Sequence, residues 1–96
     1  MITLQQTESF GTYTGTPENW EAVFTENGSS AIQSMSYNGE TLTVSFASNP
    51  DKYYDYSLTQ DVANEFYREV GFVVDGEGSI GKLFHEMTRS NKIQLI

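Results

Sequence analysis

The segment Gly76-Glu77-Gly78-Ser79-Ile80-Gly81-Lys82 comes nearest to a reaction-bearing motif in this chain. Its Gly-x-x-x-x-Gly-Lys spacing is that of a phosphate-cradling loop, and a short apolar run, Phe72-Val73-Val74, precedes it. Three features argue against nucleotide hydrolysis. Leu83 stands where a hydroxyl residue would hold magnesium, Glu77 would set a negative charge beside the phosphates, and 96 residues leave little room for the parallel sheet such sites need. A narrower anion-binding reading survives these objections. A glycine-rich entry to a helix leaves N–H groups free, so Ser79, Gly81 and Lys82 could together hold one phosphate. The alternative is a capped, tightly packed helix start in which Gly81 permits close approach.

Aromatic stacking on bases is the second chemistry to weigh. Tyr54 and Tyr56 share one face of a strand and could stack successive bases. They also share parity with Leu58, and Leu42, Val44 and Phe46 supply a matching apolar face on the neighbouring strand, which places both rings in the core. Tyr53 points the other way and is the better candidate for an exposed stacking ring; the alternative for it is an edge or interface tyrosine. His85 is the single histidine and lacks a second imidazole or carboxylate pair at metal-ligand spacing, so no metal site is expected. Nothing fixes Ser79, His85 and an aspartate in triad geometry, and no catalytic residue is assigned; the chain is expected not to be an enzyme and to need no cofactor.

The elements that would position these residues follow from composition and periodicity. The chain has 38% hydrophobic and 14% aromatic residues, enough for a single ordered domain spanning 1–96. It has no cysteine, which excludes disulfides and thiolate metal sites and suits a cytoplasmic setting. No segment approaches the roughly 20 apolar residues of a membrane helix, and no export signal or membrane association is expected. The net charge of −8 opposes general attraction to phosphate backbones. It is unevenly spread, because Lys82, Arg89 and Lys92 stand against Glu86 alone in the last sixteen residues, so an anion-binding face belongs near that end. The many acids elsewhere, Glu18, Glu21, Glu65 and Glu69 among them, are solvated charges that could together steer a basic partner.

Ile2, Leu4, Phe10 and Tyr13 alternate loosely with polar residues, which predicts one or two N-terminal strands around Gly11. Thr16-Pro17-Glu18-Asn19 reads as a helix start, and Trp20, Val23 and Phe24 at helical spacing predict a short helix over 17–25, ended by Asn27-Gly28. Period-two recurrence of Met35 and Tyr37, of Leu42, Val44 and Phe46, and of Tyr54, Tyr56 and Leu58 predicts three antiparallel strands. Asn38-Gly39 marks one turn and Ser48-Asn49-Pro50-Asp51 the next. The opposite parity holds Ser34, Ser36, Thr41, Thr43, Ser45 and Asp55, so one sheet face is core and the other meets water or a partner. A helix begins near Thr59 to Asp61, carries Val62, Phe66 and Val70, and has its stop at Gly71. Ser79 caps a second amphipathic helix with Ile80, Leu83, Phe84 and Met87, and Ile93, Leu95 and Ile96 predict a final strand. The fold class is α+β, with a three- to five-stranded antiparallel sheet and helices on one face.

The order of Ser29-Ser30-Ala31-Ile32, a hairpin, Tyr54-Asp55-Tyr56, a helix and Ser79-Ile80-Gly81-Lys82-Leu83-Phe84 resembles the KTSC domain family. That domain is found at the C-terminus of some lysyl-tRNA synthetases and as a small bacterial or phage protein. The likeness spans about 29–90; residues 1–28 have no counterpart in it and are taken as an extension of the same domain. Two departures stand out: Gly71 to Gly78 looks like an insertion, and Thr88-Arg89 keeps only part of a basic ending. The resemblance implies a small RNA-binding module in which Tyr54, Tyr56 and Phe84 are motif residues of structural role; joined to the positive C-terminal segment, the helix start and the outward parity of Tyr53, it gives a surface for RNA or single-stranded nucleic acid made of Lys82, Arg89, Lys92, Ser79, Gly81 and Tyr53. The acidic bulk supports the alternative, a protein–protein interaction module such as a phage-encoded regulator of a host protein, docking through an acidic face or a sheet edge. A monomer or weak dimer is expected.

Overall fold

A computed structural model describes residues 10–96. The strand expected around Ile2 and Leu4 lies outside the described residues. The chain folds as α+β, in the order β1 (Gly11–Thr16), β2 (Asn19–Phe24), β3 (Ile32–Tyr37), β4 (Thr41–Phe46), β5 (Asn49–Ser57), α1 (Gln60–Val74), α2 (Ile80–Arg89) and β6 (Gln94–Leu95). The strands form one antiparallel sheet in sequential order, six strands where three to five were expected.

The additional strands come chiefly from residues 11–24, where the expected helix is instead the second arm of a hairpin. Trp20, Ala22 and Phe24 are buried while Glu21 and Val23 are exposed, a period of two. Trp20, Val23 and Phe24 fit a helix only if Ala22 is ignored as a core residue. Pro17-Glu18 forms a two-residue loop between the paired Thr16 and Asn19, so the proline serves a turn rather than a helix start. Asn27-Gly28 belongs to the β2–β3 connection, where Gly28 and Ser29 donate their N–H groups to the Thr25 carbonyl.

The hairpin at Asn38 has Gly39 (φ 99°) and Glu40 at its centre. The Asn38 side chain accepts the Glu40 and Thr41 N–H groups at 3.0 and 2.8 Å, which locks that turn. The next turn is Ala47-Ser48 rather than Ser48 to Asp51. Phe46 pairs with Asn49, and Pro50 and Asp51 already belong to β5, beyond the reach of β6. The register slips between Val44 and Phe46, where the buried Ser45 donates its hydroxyl to the Pro50 carbonyl.

Helix α1 is capped by Thr59 and runs through Gly71. Val73 and Val74 continue the buried stripe of Val62, Phe66 and Val70, so the helix gains by passing the glycine. It ends at Gly76, φ 89°, in a Schellman arrangement: the Glu77 N–H reaches the Phe72 carbonyl at 2.8 Å and the Gly76 N–H reaches that of Val73 at 3.0 Å. Helix α2, capped by Ser79, ends in the same way on Asn91, φ 61°, with the Lys92 N–H on the Met87 carbonyl.

Both helices cover one face of the sheet, and the core lies between. Trp20, Ile32, Met35, Leu42 and Val44 meet Phe66, Val70 and Ile80, and Ile93 closes the far end. A second tie joins the β1–β2 turn to the start of α1. Gln60 accepts the Tyr37 hydroxyl at 3.0 Å and donates its amide to the Pro17 carbonyl and the Asn64 side chain.

Candidate binding surface

The phosphate reading of the α2 start depends on free N–H groups, and one of them is already taken. The Ser79 N–H donates to Glu69 Oε2 at 2.8 Å, while the Ser79 hydroxyl accepts the Lys82 N–H at 3.2 Å. Gly78, φ 73°, is what lets the carboxylate in: a Cβ there would overlap Glu69 Oε2. A carboxylate from α1 therefore fills the anion position at this helix start. Gly81 is not held by a close approach, since a Cβ there would meet only the Ala31 methyl at 3.7 Å.

The basic residues are close in sequence but do not merge into one positive surface. Lys82, Glu86 and Arg89 follow one another at i, i+4 and i+7 on α2, so a negative charge separates the two positive ones. Glu69 and Glu86 line the same cleft as Lys82. Lys92 is exposed in the turn after Asn91. His85 is also exposed, on α2.

Tyr53 lies on the other side of the sheet from these residues. Its neighbours Tyr54 and Tyr56 turn toward the helices, where Phe84 packs edge-on to Tyr56 at 5.3 Å and to Phe46 at 5.5 Å, and Phe46 meets Tyr54 at 5.8 Å. Phe84 and the two tyrosines thus form one aromatic cluster fastening α2 to β4 and β5. Burial, and secondarily Tyr54, raises the Tyr56 phenol above its ordinary value; burial, then Glu40 and Glu18, raises that of Tyr37.

The face that the helices leave uncovered is ordered by strand register into rows. One runs Thr14, Glu21, Ser36, Thr43 and Asp55 across five strands; the next runs Thr12, Val23, Ser34 and Ser45. Thr43 donates its hydroxyl to Asp55 Oδ1 at 2.7 Å. Tyr53 is 67% exposed and Val23 53%, and both line a shallow depression with Glu21, Ser34, Ser36 and Thr43. No residue of either row is basic. Glu21 and Asp55 stand three interstrand steps apart, about 14 Å at the usual strand spacing, beyond the reach of a cooperating carboxylate pair. Among the described residues no three of His, Cys, Asp and Glu converge to hold a metal ion. No helix among them is long and apolar enough to cross a membrane.

The sequence marked the polar parity of β3 to β5 and Glu21 as one of the acids that could steer a basic partner, but not that Glu21 and Val23 share this face, because β2 was read as a helix. The signal was present in the exposed positions 21 and 23 alternating with Trp20, Ala22 and Phe24. A second cleft, between β1 and α1, was also missed; Tyr13, Asn64, Tyr67 and Arg68 line it. Comparison of the chain with family models, with curated proteins and with solved structures found no match.

Proposed function

We propose that this chain is a small non-enzymatic binding module whose partner is a protein, with the uncovered sheet face as the contact surface. The observation that carries this reading is the composition of that face: an exposed tyrosine and valine among hydroxyls, two carboxylates, and no base in either row. Nucleic acid is repelled by such a surface, whereas a protein surface bearing lysine or arginine is steered toward it. The resemblance to KTSC domains fits a binding role. Its nucleic-acid implication is weakened by Glu69 and Glu86 beside Lys82 and by Tyr53 on the opposite face. A cytoplasmic regulator acting on another protein, as a phage-encoded protein acts on a host, suits the cysteine-free, acidic composition.

A photo-crosslinking amino acid placed at Val23, and separately at Lys82, tests this in expressing cells. A discrete protein adduct is expected from position 23, insensitive to nuclease and lost when Glu21 and Asp55 are both replaced by lysine. Nuclease-sensitive adducts from position 82, with none from 23, would overturn it.

A further inference from the structure

β1 is one edge of the sheet, and its register shows which peptide groups face outward. Thr16 and Asn19 close a two-residue loop, so hydrogen-bonded pairs recur at Thr14–Glu21 and Thr12–Val23. The alternate residues Tyr13 and Gly15 turn their N–H and C=O groups away from β2. Among the described residues no strand lies beyond β1. One outward group already shows what it accepts: the Tyr67 hydroxyl donates to the Gly15 carbonyl at 3.2 Å. A side chain of α1 thus occupies the position that the N–H of an added strand would take.

The space beside this edge is shaped for more than backbone. A cleft of about 580 Å³ runs between β1 and α1, with Tyr13, Asn64, Tyr67, Arg68 and Gly71 in its lining. Tyr13 and Tyr67 form an edge-to-face wall, ring centres 6.0 Å apart at 83°. Gly71 also borders the cleft, where a Cβ would make ordinary contact with the Tyr13 hydroxyl at 3.6 Å. Trp20 packs on Tyr67 at 6.0 Å, and its indole N–H is the buried side-chain donor without an acceptor among the described residues.

We propose that β1 recruits an extended segment of a partner protein, which joins the sheet as a further strand and seats an apolar side chain against the Tyr13–Tyr67 wall. The inference rests on the protein-binding reading and adds a second contact, at the sheet edge, to the one on the uncovered face. The outward groups of Tyr13 and Gly15 repeat at the two-residue spacing of a strand, about 6.8 Å, which an extended peptide matches and a helix does not. Glu18 and Arg68 both stand in the cleft lining, so the favoured segment carries no net charge where it crosses them. When it binds, its N–H replaces the Tyr67 hydroxyl on the Gly15 carbonyl.

A display library of random nine-residue peptides, selected on the folded chain, supplies the probe; one enriched peptide is then titrated into nitrogen-15-labelled protein. The Tyr13 and Gly15 amides are expected to shift and their hydrogen exchange to slow. Tyr13→Pro, tolerated on an edge strand, removes both an outward donor and one ring of the wall and is expected to weaken binding by about tenfold or more. Tyr67→Phe removes the competing hydroxyl and is expected to strengthen binding by about two- to fivefold, which a merely structural tyrosine would not do. Several results would overturn the proposal: no enriched peptide, weaker binding by Tyr67→Phe, or a dimer in which a second copy protects Tyr13 and Gly15. Peptides that shift Val23, Tyr53 and Asp55 instead would sink the edge site while leaving a protein-binding module in place.

Discussion

Replacing Glu69 by alanine removes both the acceptor of the Ser79 N–H and the negative charge at the start of α2. The group is half-buried and partly screened, so the expected loss is about 1 kcal/mol, read as a lower urea midpoint with an unchanged slope. Gly81→Ala is expected to do the opposite. The added methyl meets only Ala31 at 3.7 Å, and the unfolded chain loses freedom, a gain of about 0.5 kcal/mol by the same assay. Tyr37 and Tyr56 set a pH limit. Both phenols are raised above 10.0 by burial, so the folded state holds protons that the unfolded state releases. Their contribution is fully present below the unfolded value and is lost as pH rises through the folded one. Melting temperature is therefore expected to hold up to the unfolded value of 10.0 and to fall as pH rises from there through the folded values, and a Tyr37→Phe, Tyr56→Phe double variant to fall less steeply over that window.

At the scale of elements, two helix ends built alike make a paired prediction. Gly76 and Asn91 both take positive φ in Schellman ends, 89° and 61°. Asn91→Gly is expected to be neutral or stabilising by a few tenths of a kcal/mol, and Gly76→Val to cost about 1–2 kcal/mol, measured by thermal melting. Much of this level could be read from the residues. Thr59 and Ser79 as caps, the Val62–Phe66–Val70 stripe and the three central strands all carry local chemistry that agrees with their tertiary place. The first hairpin was misread because a proline after threonine suits a helix start and a turn equally, and the alternation of Trp20, Ala22 and Phe24 with Glu21 and Val23, which separates the two, is short and competes with a helical spacing. Gly71 misled for a related reason. Its helix penalty, about 1 kcal/mol, is outweighed by burying Val73 and Val74.

For the whole molecule, the net charge of −8 matters less than where the charges sit. The sequence located the positive residues near the C-terminus, yet it could not show that Glu69, eleven positions before Ile80, folds back beside Lys82, or that Tyr53 faces away from them. The candidate surface was half legible: the hydroxyl parity of β3 to β5 was visible, but the rows that join it to Glu21 and Val23 exist only once β2 is a strand. Whether this chain binds protein rather than nucleic acid is decided by fluorescence anisotropy. Labelled single-stranded RNA, duplex RNA and DNA are titrated with the chain at low and physiological salt, with Lys82→Glu and Arg89→Glu as controls. No saturable binding to any of them is expected even at low salt; salt-sensitive binding that disappears in those two variants would make this a nucleic-acid module instead.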